Sequence, residues 1–248
     1  MCHYFLIYFQ LRATLLCVMI TTSIIKALDS QTINKIAAGE IIERPASVIK
    51  ECIENSIDAH ADTIVIYVEQ GGQTLIRLTD NGTGIYKDDL GKAHLRHYTS
   101  KITQLDDIYG IDSFGFRGEA LAAICHAGHV TIESKTAEDQ GYKITIHNGE
   151  ASELEPTSHP KGTTVSIQHL FEGIPVRLKF LKKPGTEFAY IYDLVTQFAL
   201  IHPTINFKLF HNQEEALNTN SIGSLDQLAL LLFGKKLHRK TCAVDFEL

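Results

Sequence analysis

No G-x-x-x-x-G-K-[ST] string occurs anywhere in the 248 residues, which excludes the phosphate-cradling loop of P-loop nucleotide enzymes. No C-x-x-C pair occurs either. The five cysteines, Cys2, Cys17, Cys52, Cys125 and Cys242, are odd in number and scattered, which argues against a disulfide framework or a thiolate zinc cluster and fits a reducing, cytoplasmic setting. His94/His97 and His126/His129 have helical spacing, but without a thiolate pair they read as surface or packing residues. There is no excess of positive charge: the formal net charge is −6, so any contact with nucleic acid has to come from a local patch. No internal repeat is present. An unbroken apolar run of about 20 residues, the length a spanning helix needs, is also missing. Residues 2–25 come nearest, but Gln10, Arg12 and the hydroxyls of Thr21, Thr22 and Ser23 interrupt them, and no membrane span is expected. A basic leader and a small-residue cleavage site are not evident there. Only two methionines exist, and Met19 stands just ahead of the first globular pattern. Residues 1–18 are therefore expected to be an upstream extension.

What is present is ordinary for a globular protein: 44% hydrophobic and 21% charged residues. The length suits one large domain, or one domain and the start of another. Helical periodicity is expected over Ser30–Ile42, with Ser30 as cap and Ile33, Ile36, Ala37 and Ile41 on one side. Pro45 suits a first helical position, and the helix to Ala59 has two faces. Ile49, Cys52, Ile53 and Ile57 form an apolar stripe, and Glu51, Asn55 and Asp58 form a polar one. Thr63–Glu69 alternates as a strand, Gln70-Gly71-Gly72-Gln73 signals a hairpin, and Thr74–Asp80 is its return. Asp80 shares parity with Ile76 and Leu78, so its carboxylate points to the buried face, where an unpaired charge is costly.

Residues 86–112 read as a helix followed by an irregular stretch. Gly115 and Gly118 lead into a helix from Glu119. Strands follow near 129–135, 141–147 and 163–168, then a helix from Thr186 to His202 stopped by Pro203, and a strand at 204–211. The polar run 212–224 reads as a linker. The expected fold is α+β, a two-layer sandwich in which helices cover a mixed sheet. The expected domains are 19–224 and the truncated start of a second one at 225–248.

Several motifs could together hold a nucleotide. Ionised Asp80 only accepts hydrogen bonds, so it suits the exocyclic amine of adenine, whereas guanine would set two acceptors face to face. Gly82 and Gly84 permit a tight turn beside a base. Asn55 offers a hard amide oxygen for Mg²⁺, which takes the rest of its shell from phosphates and water. Glu51, one turn earlier on the same face, could deprotonate a water for attack on the terminal phosphate. Backbone N–H groups from Gly115 to Ala120, at a helix N-terminus, suit phosphates. Lys101 adds charge and Thr163 a small hydroxyl.

On these residues the chain resembles the N-terminal ATPase region of the MutL mismatch-repair family, part of the GHKL superfamily shared with gyrase B subunits, heat-shock ATPase chaperones and histidine kinases. Glu51-x-x-x-Asn55, Asp80-x-Gly82-x-Gly84 and Gly162-Thr163-Thr164 carry the superfamily likeness. Longer strings carry the family likeness: Ile36 to Val48, Thr99-Ser-Lys-Ile102 and Gly115-Phe-Arg-Gly-Glu-Ala-Leu121. The likeness runs from about Ile24 to the end.

It implies a Bergerat-type ATP-binding fold, with Glu51 as general base, Asn55 as the magnesium-linked amide and Asp80 as the adenine reader. Ala59 and Ile85 join the nucleotide contacts. So do Thr99, Ser100, Lys101, Gly115, Phe116, Arg117, Gly118, Glu119, Ala120, Leu121 and Thr163, as lid and phosphate contacts. It further implies an ATP-driven repair switch that closes as a homodimer in full-length relatives. The implied partners are a mismatch sensor and a downstream endonuclease or helicase.

Such proteins continue into a second domain that lends a lysine to the γ-phosphate. The sequence stops soon after 225, so slow hydrolysis and impaired closure are expected. The alternative is a nucleotide-binding remnant without significant turnover. A kinase-like phosphotransfer protein is disfavoured by the Gly115–Leu121 string. His60 stands where the family commonly has glycine, and Glu172-Gly173-Ile174 replaces a more polar pattern. Arg177, Lys179, Lys182 and Lys183 form a basic cluster able to meet DNA phosphates weakly and without sequence preference, or simply to face solvent.

Overall fold

The computed structural model describes residues 25–102, 107, 110, 113–115, 117–219, 227, 228, 230 and 232. The expected upstream extension at 1–18, Phe116, and most of the expected second-domain start lie outside the described residues. Two compact units divide the chain at Ile33/Asn34. In the first, Asp29 Oδ1 accepts the Thr32 N–H at 2.9 Å. Asp29 therefore caps helix α1 (Ser30–Ile41), where Ser30 was expected to. Further along α1, Ala38 and Gly39 take the buried positions while Ile36 stays exposed.

The second unit is built on a sheet of nine strands among the described residues. These are β1 (Thr63–Glu69), β2 (Leu75–Asp80), β3 (His129–Lys135), β4 (Gly141–His147), β5 (Glu150–Ala151), β6 (Glu155–Thr157), β7 (Gly162–Gln168), β8 (Asn206–His211) and β9 (Glu214–Asn218). Their order is β5-β4-β3-β7-β2-β1-β8-β9, with β6 also paired to β4. All pairs are antiparallel except β1 with β8, so the sheet is mixed. Alternation decides which face is covered. Ile64, Ile66, Ile76, Leu78, Val130, Ile132, Ile144, Ile146, Ile167, Phe207 and Leu209 all point to the buried side.

Three helices lie over that side: α2 (Pro45–Asp58), α4 (Ala120–Ala127) and α6 (Pro184–Ile201). α2 sits between the other two and against β2. Its Ile49, Cys52 and Ile53 are buried, as the apolar stripe requires. Truncating a fully buried isoleucine such as Ile53 to alanine costs about 2–5 kcal/mol. Two short helices complete the unit, α3 (Lys87–Leu90) and α5 (Pro175–Phe180). The architecture is the expected α+β two-layer sandwich.

One expectation fails here. Residues 214–218, read as linker, form β9 and extend the sheet beyond β8. Only Leu217 of that strand is buried, so the run carries almost no apolar alternation. Pairing is set instead by the turn, where Asn212 and Gln213 both have positive φ (48° and 72°), as tight hairpins require. Thr219 then reinforces the edge by accepting the Phe207 N–H at 2.9 Å.

Candidate functional site

α2 ends in a way that builds one wall of the site. The Ala61 N–H reaches the Ser56 carbonyl at 3.0 Å and the His60 N–H reaches that of Ile57 at 2.8 Å. This is the double bond of a Schellman stop. It places His60 at φ 57°, the left-handed position that glycine occupies most easily. The Ala59 carbonyl is turned outward and accepts the Thr83 N–H at 2.9 Å. The turn after β2 thus rests on the end of α2. Gly82 approaches so closely that a Cβ there would lie 2.6 Å from the Ala59 oxygen. Gly84, at φ 78°, faces the Lys135 carbonyl with no room for a side chain.

Asp80 closes β2 on its buried side. Its Oδ1 accepts N–H groups from Gly82 at 2.9 Å and Thr163 at 3.3 Å. Its Oδ2 accepts the Ser56 hydroxyl at 3.0 Å. Burial pushes this carboxyl above the ordinary aspartate value, while the bonds from Gly82, Ser56 and Thr163 pull the other way. Oδ2 keeps acceptor capacity for one more donor.

A hydroxyl network flanks it. Ser134 Oγ accepts the Ile85 N–H at 2.8 Å and donates to the Gly162 carbonyl at 3.0 Å. The Thr163 hydroxyl, 2.9 Å away, therefore donates to Ser134. Ala59, Asp80, Gly82, Gly84, Ile85 and Thr163 come together as expected. Ser56 and Ser134 were missed. Ser56 acts only through a carboxylate 24 positions later, and no local pattern points to it.

The second cluster lies along the polar face of α2. Glu51 is partly buried, and burial raises its carboxyl above the usual glutamate value, opposed by the Lys50 ammonium at 3.5 Å. Lys50 also pairs with Glu54 at 2.7 Å. Asn55 is exposed, and its Oδ1 accepts from the Lys101 ammonium at 3.1 Å. Lys101 in turn forms an ion pair with Asp58. The expected lid residues gather near this point. Gly115 lies beside Lys101, since a Cβ there would be 3.5 Å from Nζ. Thr99 Oγ1 accepts the Lys101 N–H at 3.2 Å. The His97 N–H binds the Gly118 carbonyl at 2.9 Å, which joins the two lid segments.

Arg117 and Ser100 are exposed, and Glu119 takes Arg96 at 3.4 Å. Ala120 and Leu121 open α4, and Leu121 packs on the core. Phe116 is outside the described residues. An amide oxygen that already faces a cation, open to solvent and beside a carboxylate, has the donor chemistry that Mg²⁺ takes.

The basic cluster lies elsewhere. Arg177 and Lys179 are on α5, with Arg177 over Gly39. Lys182 and Lys183 are exposed in the link to α6. The Lys182 carbonyl accepts Gln73 Nε2 at 3.4 Å. Gln73 precedes β2 and Asp80 ends it, so the patch is at the other end of that strand from Asp80, roughly 20 Å away at strand rise.

Comparison with known proteins places the chain in a family. Residues 42–170 match the family described as histidine kinase-, DNA gyrase B-, and HSP90-like ATPase. The DNA mismatch repair protein MutL of Clostridium beijerinckii is 49% identical over 214 residues, covering 86% of this chain and 32% of that protein. MutL of an Exiguobacterium species is 44% identical, covering 86% and 35%. The chain spans about a third of the length of these curated relatives. Among solved structures, the Aquifex aeolicus MutL ATPase domain complexed with ADP aligns with a TM-score of 0.63 at 29% identity, covering 78% of this chain and 70% of that one. The N-terminal domain of a DNA repair protein aligns at 0.69 and 28%, covering 82% and 60%.

Proposed function

From the premise that this chain belongs to the histidine kinase-, DNA gyrase B- and HSP90-like ATPase family, and within it to the N-terminal ATPase region of MutL mismatch-repair proteins, we propose that it is the slowly hydrolysing Mg·ATP switch of a repair factor. One observation carries the reading: a buried carboxylate, Asp80, with every local donor satisfied and one acceptor position left over. It stands beneath a helix whose outer face carries Glu51 and Asn55.

Asp80 accepts the adenine amine. Gly82, Gly84, Ala59 and Ile85 shape the walls around the base, and Thr163 sits at the rim. Asn55, Lys101 and the N–H groups from Gly115 to Ala120 face the phosphates. Asn55 would hold Mg²⁺, which supplies charge neutralisation at the phosphates when bound. Glu51 orients the attacking water and takes its proton, and its raised pKa suits a base working near neutral pH.

Closure of the lid would be a population shift driven by contacts that only the triphosphate makes. By that shift the protein would signal to a mismatch sensor and a downstream endonuclease or helicase, with pairing of two copies as its output. The ATPase part comprises residues 19–224, and a second domain begins at 225. The basic cluster Arg177, Lys179, Lys182 and Lys183 would bind DNA backbone weakly, which charge reversal at Lys182 and Lys183 tests through affinity and its salt slope. Among the described residues no helix is long and apolar enough to cross a membrane, and the proposed setting is the cytoplasm.

Calorimetry with ATP and GTP tests the reading. Mg·ATP is expected to bind at least about 100-fold more tightly than Mg·GTP, because guanine presents a second acceptor to Asp80. Equal affinity would overturn the base assignment.

A further inference from the structure

We propose that Asp58, which touches neither base nor phosphate in this scheme, is a positioning residue that holds Lys101 and Phe114 against the end of α2. The inference rests on the Mg·ATP reading given above. Asp58 follows Asn55 by three positions and shares its helix face. Its two carboxylate oxygens have separate tasks. Oδ2 holds the Lys101 ammonium in an ion pair, and Oδ1 accepts the backbone N–H of Phe114 at 3.2 Å. One carboxylate therefore holds both Lys101 and Phe114 at the end of α2.

The tie is sheltered: the Asp58 side chain is 10% exposed and that of Lys101 20%. The Phe114 ring adds an edge-on contact to His202 at 5.8 Å. Lys101 keeps a second bond to Asn55 Oδ1 at 3.1 Å, so the ammonium is held between the two α2 side chains.

Holding binding groups in place before a ligand arrives lowers the entropy cost of binding. Asp58 thereby keeps Lys101 and the Gly115 turn at the mouth of the phosphate site before nucleotide arrives. Its carboxylate makes no direct contact with Glu51, so its main effect is expected on binding. A neutral Asp58→Asn side chain keeps the size but loses the ion pair.

The test compares the full chain with Asp58→Asn, Lys101→Met, the double variant, Asp58→Glu and, for hydrogen exchange, Asp58→Ala. Asp58→Asn is expected to weaken Mg·ATP binding about tenfold while single-turnover hydrolysis at saturation stays within about twofold. Asp58→Glu should recover part of the affinity. The double variant should lose less than the two single losses added together, because both break the Asp58–Lys101 ion pair. Hydrogen exchange in the absence of nucleotide gives an independent readout: the Phe114 amide should exchange faster in Asp58→Ala, which removes the acceptor, and at the unaltered rate in Lys101→Met.

Unchanged affinity in Asp58→Asn, or fully additive losses, would overturn the inference and leave the nucleotide reading standing. Failure of the unaltered chain to bind Mg·ATP would overturn the nucleotide reading. The Phe114 exchange then decides the tie alone, faster exchange supporting it and unchanged exchange overturning it.

Discussion

The two ends of the site are built on different physical terms. At the Asp80 end, a carboxylate and two hydroxyls are buried and held by the chain itself, with one acceptor position of the carboxylate left over. At the Asn55 end, the amide is exposed and its oxygen is engaged by a lysine from a distant segment. The first end is a finished socket on regular structure, between the end of β2 and the start of β7. The second is assembled from a helix face and irregular segments whose present partners must exchange for a ligand. Under the proposed function, the difference suits a switch: recognition of the base would be permanent, while the phosphate end would respond to what is bound.

The sharpest way to break the contrast is at the finished end. Asp80→Asn is isosteric and still accepts from Gly82 and Thr163, so the fold should survive. The amide now turns a donor toward Ser56 or toward the base. Affinity for Mg·ATP should fall about 100-fold, measured by calorimetry, with the melting temperature nearly unchanged. An unaffected affinity would mean that the base sits elsewhere.

Acidification should separate the two ends next. Burial raises both Glu51 and Asp80 above their ordinary values. A carboxyl whose folded pKa is raised contributes stability that is fully present below its unfolded pKa and lost as pH rises through the folded one. Protonating these two groups therefore favours the folded chain but disables the base. Single-turnover hydrolysis should decline at a pH above 4.5, the ordinary glutamate value, while these groups cause no loss in melting temperature. Parallel loss of rate and stability would contradict the assignment.

A smaller effect is expected where the two ends meet, at the stop of α2. His60 occupies a left-handed position that glycine adopts without strain. His60→Gly should raise stability by about 1 kcal/mol in urea unfolding and leave nucleotide affinity unchanged. A stability loss would show that the imidazole makes a contact of its own.

The same contrast governs what was legible in the chain. β1 and β3 follow from alternation, and Asp80 could be placed inside from its parity with Ile76 and Leu78. Glu51 and Asn55 share a face by helical period alone. β9 was hidden because an edge strand with one buried residue carries no alternation, and its pairing depends on a two-residue turn. Ser56 and Ser134 were hidden for a related reason. Each becomes functional only through a tertiary partner, Asp80 for one and Ile85 with Thr163 for the other. Asp58 was visible on the polar stripe, but its task depends on Lys101 and Phe114, which no local spacing connects to it.

Single-turnover hydrolysis of Mg·ATP by the unaltered chain and by Glu51→Gln, at matched saturation, tests the central claim most directly. The account predicts that both bind with similar affinity and that hydrolysis in the variant is slower by at least about 100-fold. Equal rates would remove Glu51 from the chemistry, and with it the claim that the polar face of α2 is the catalytic face.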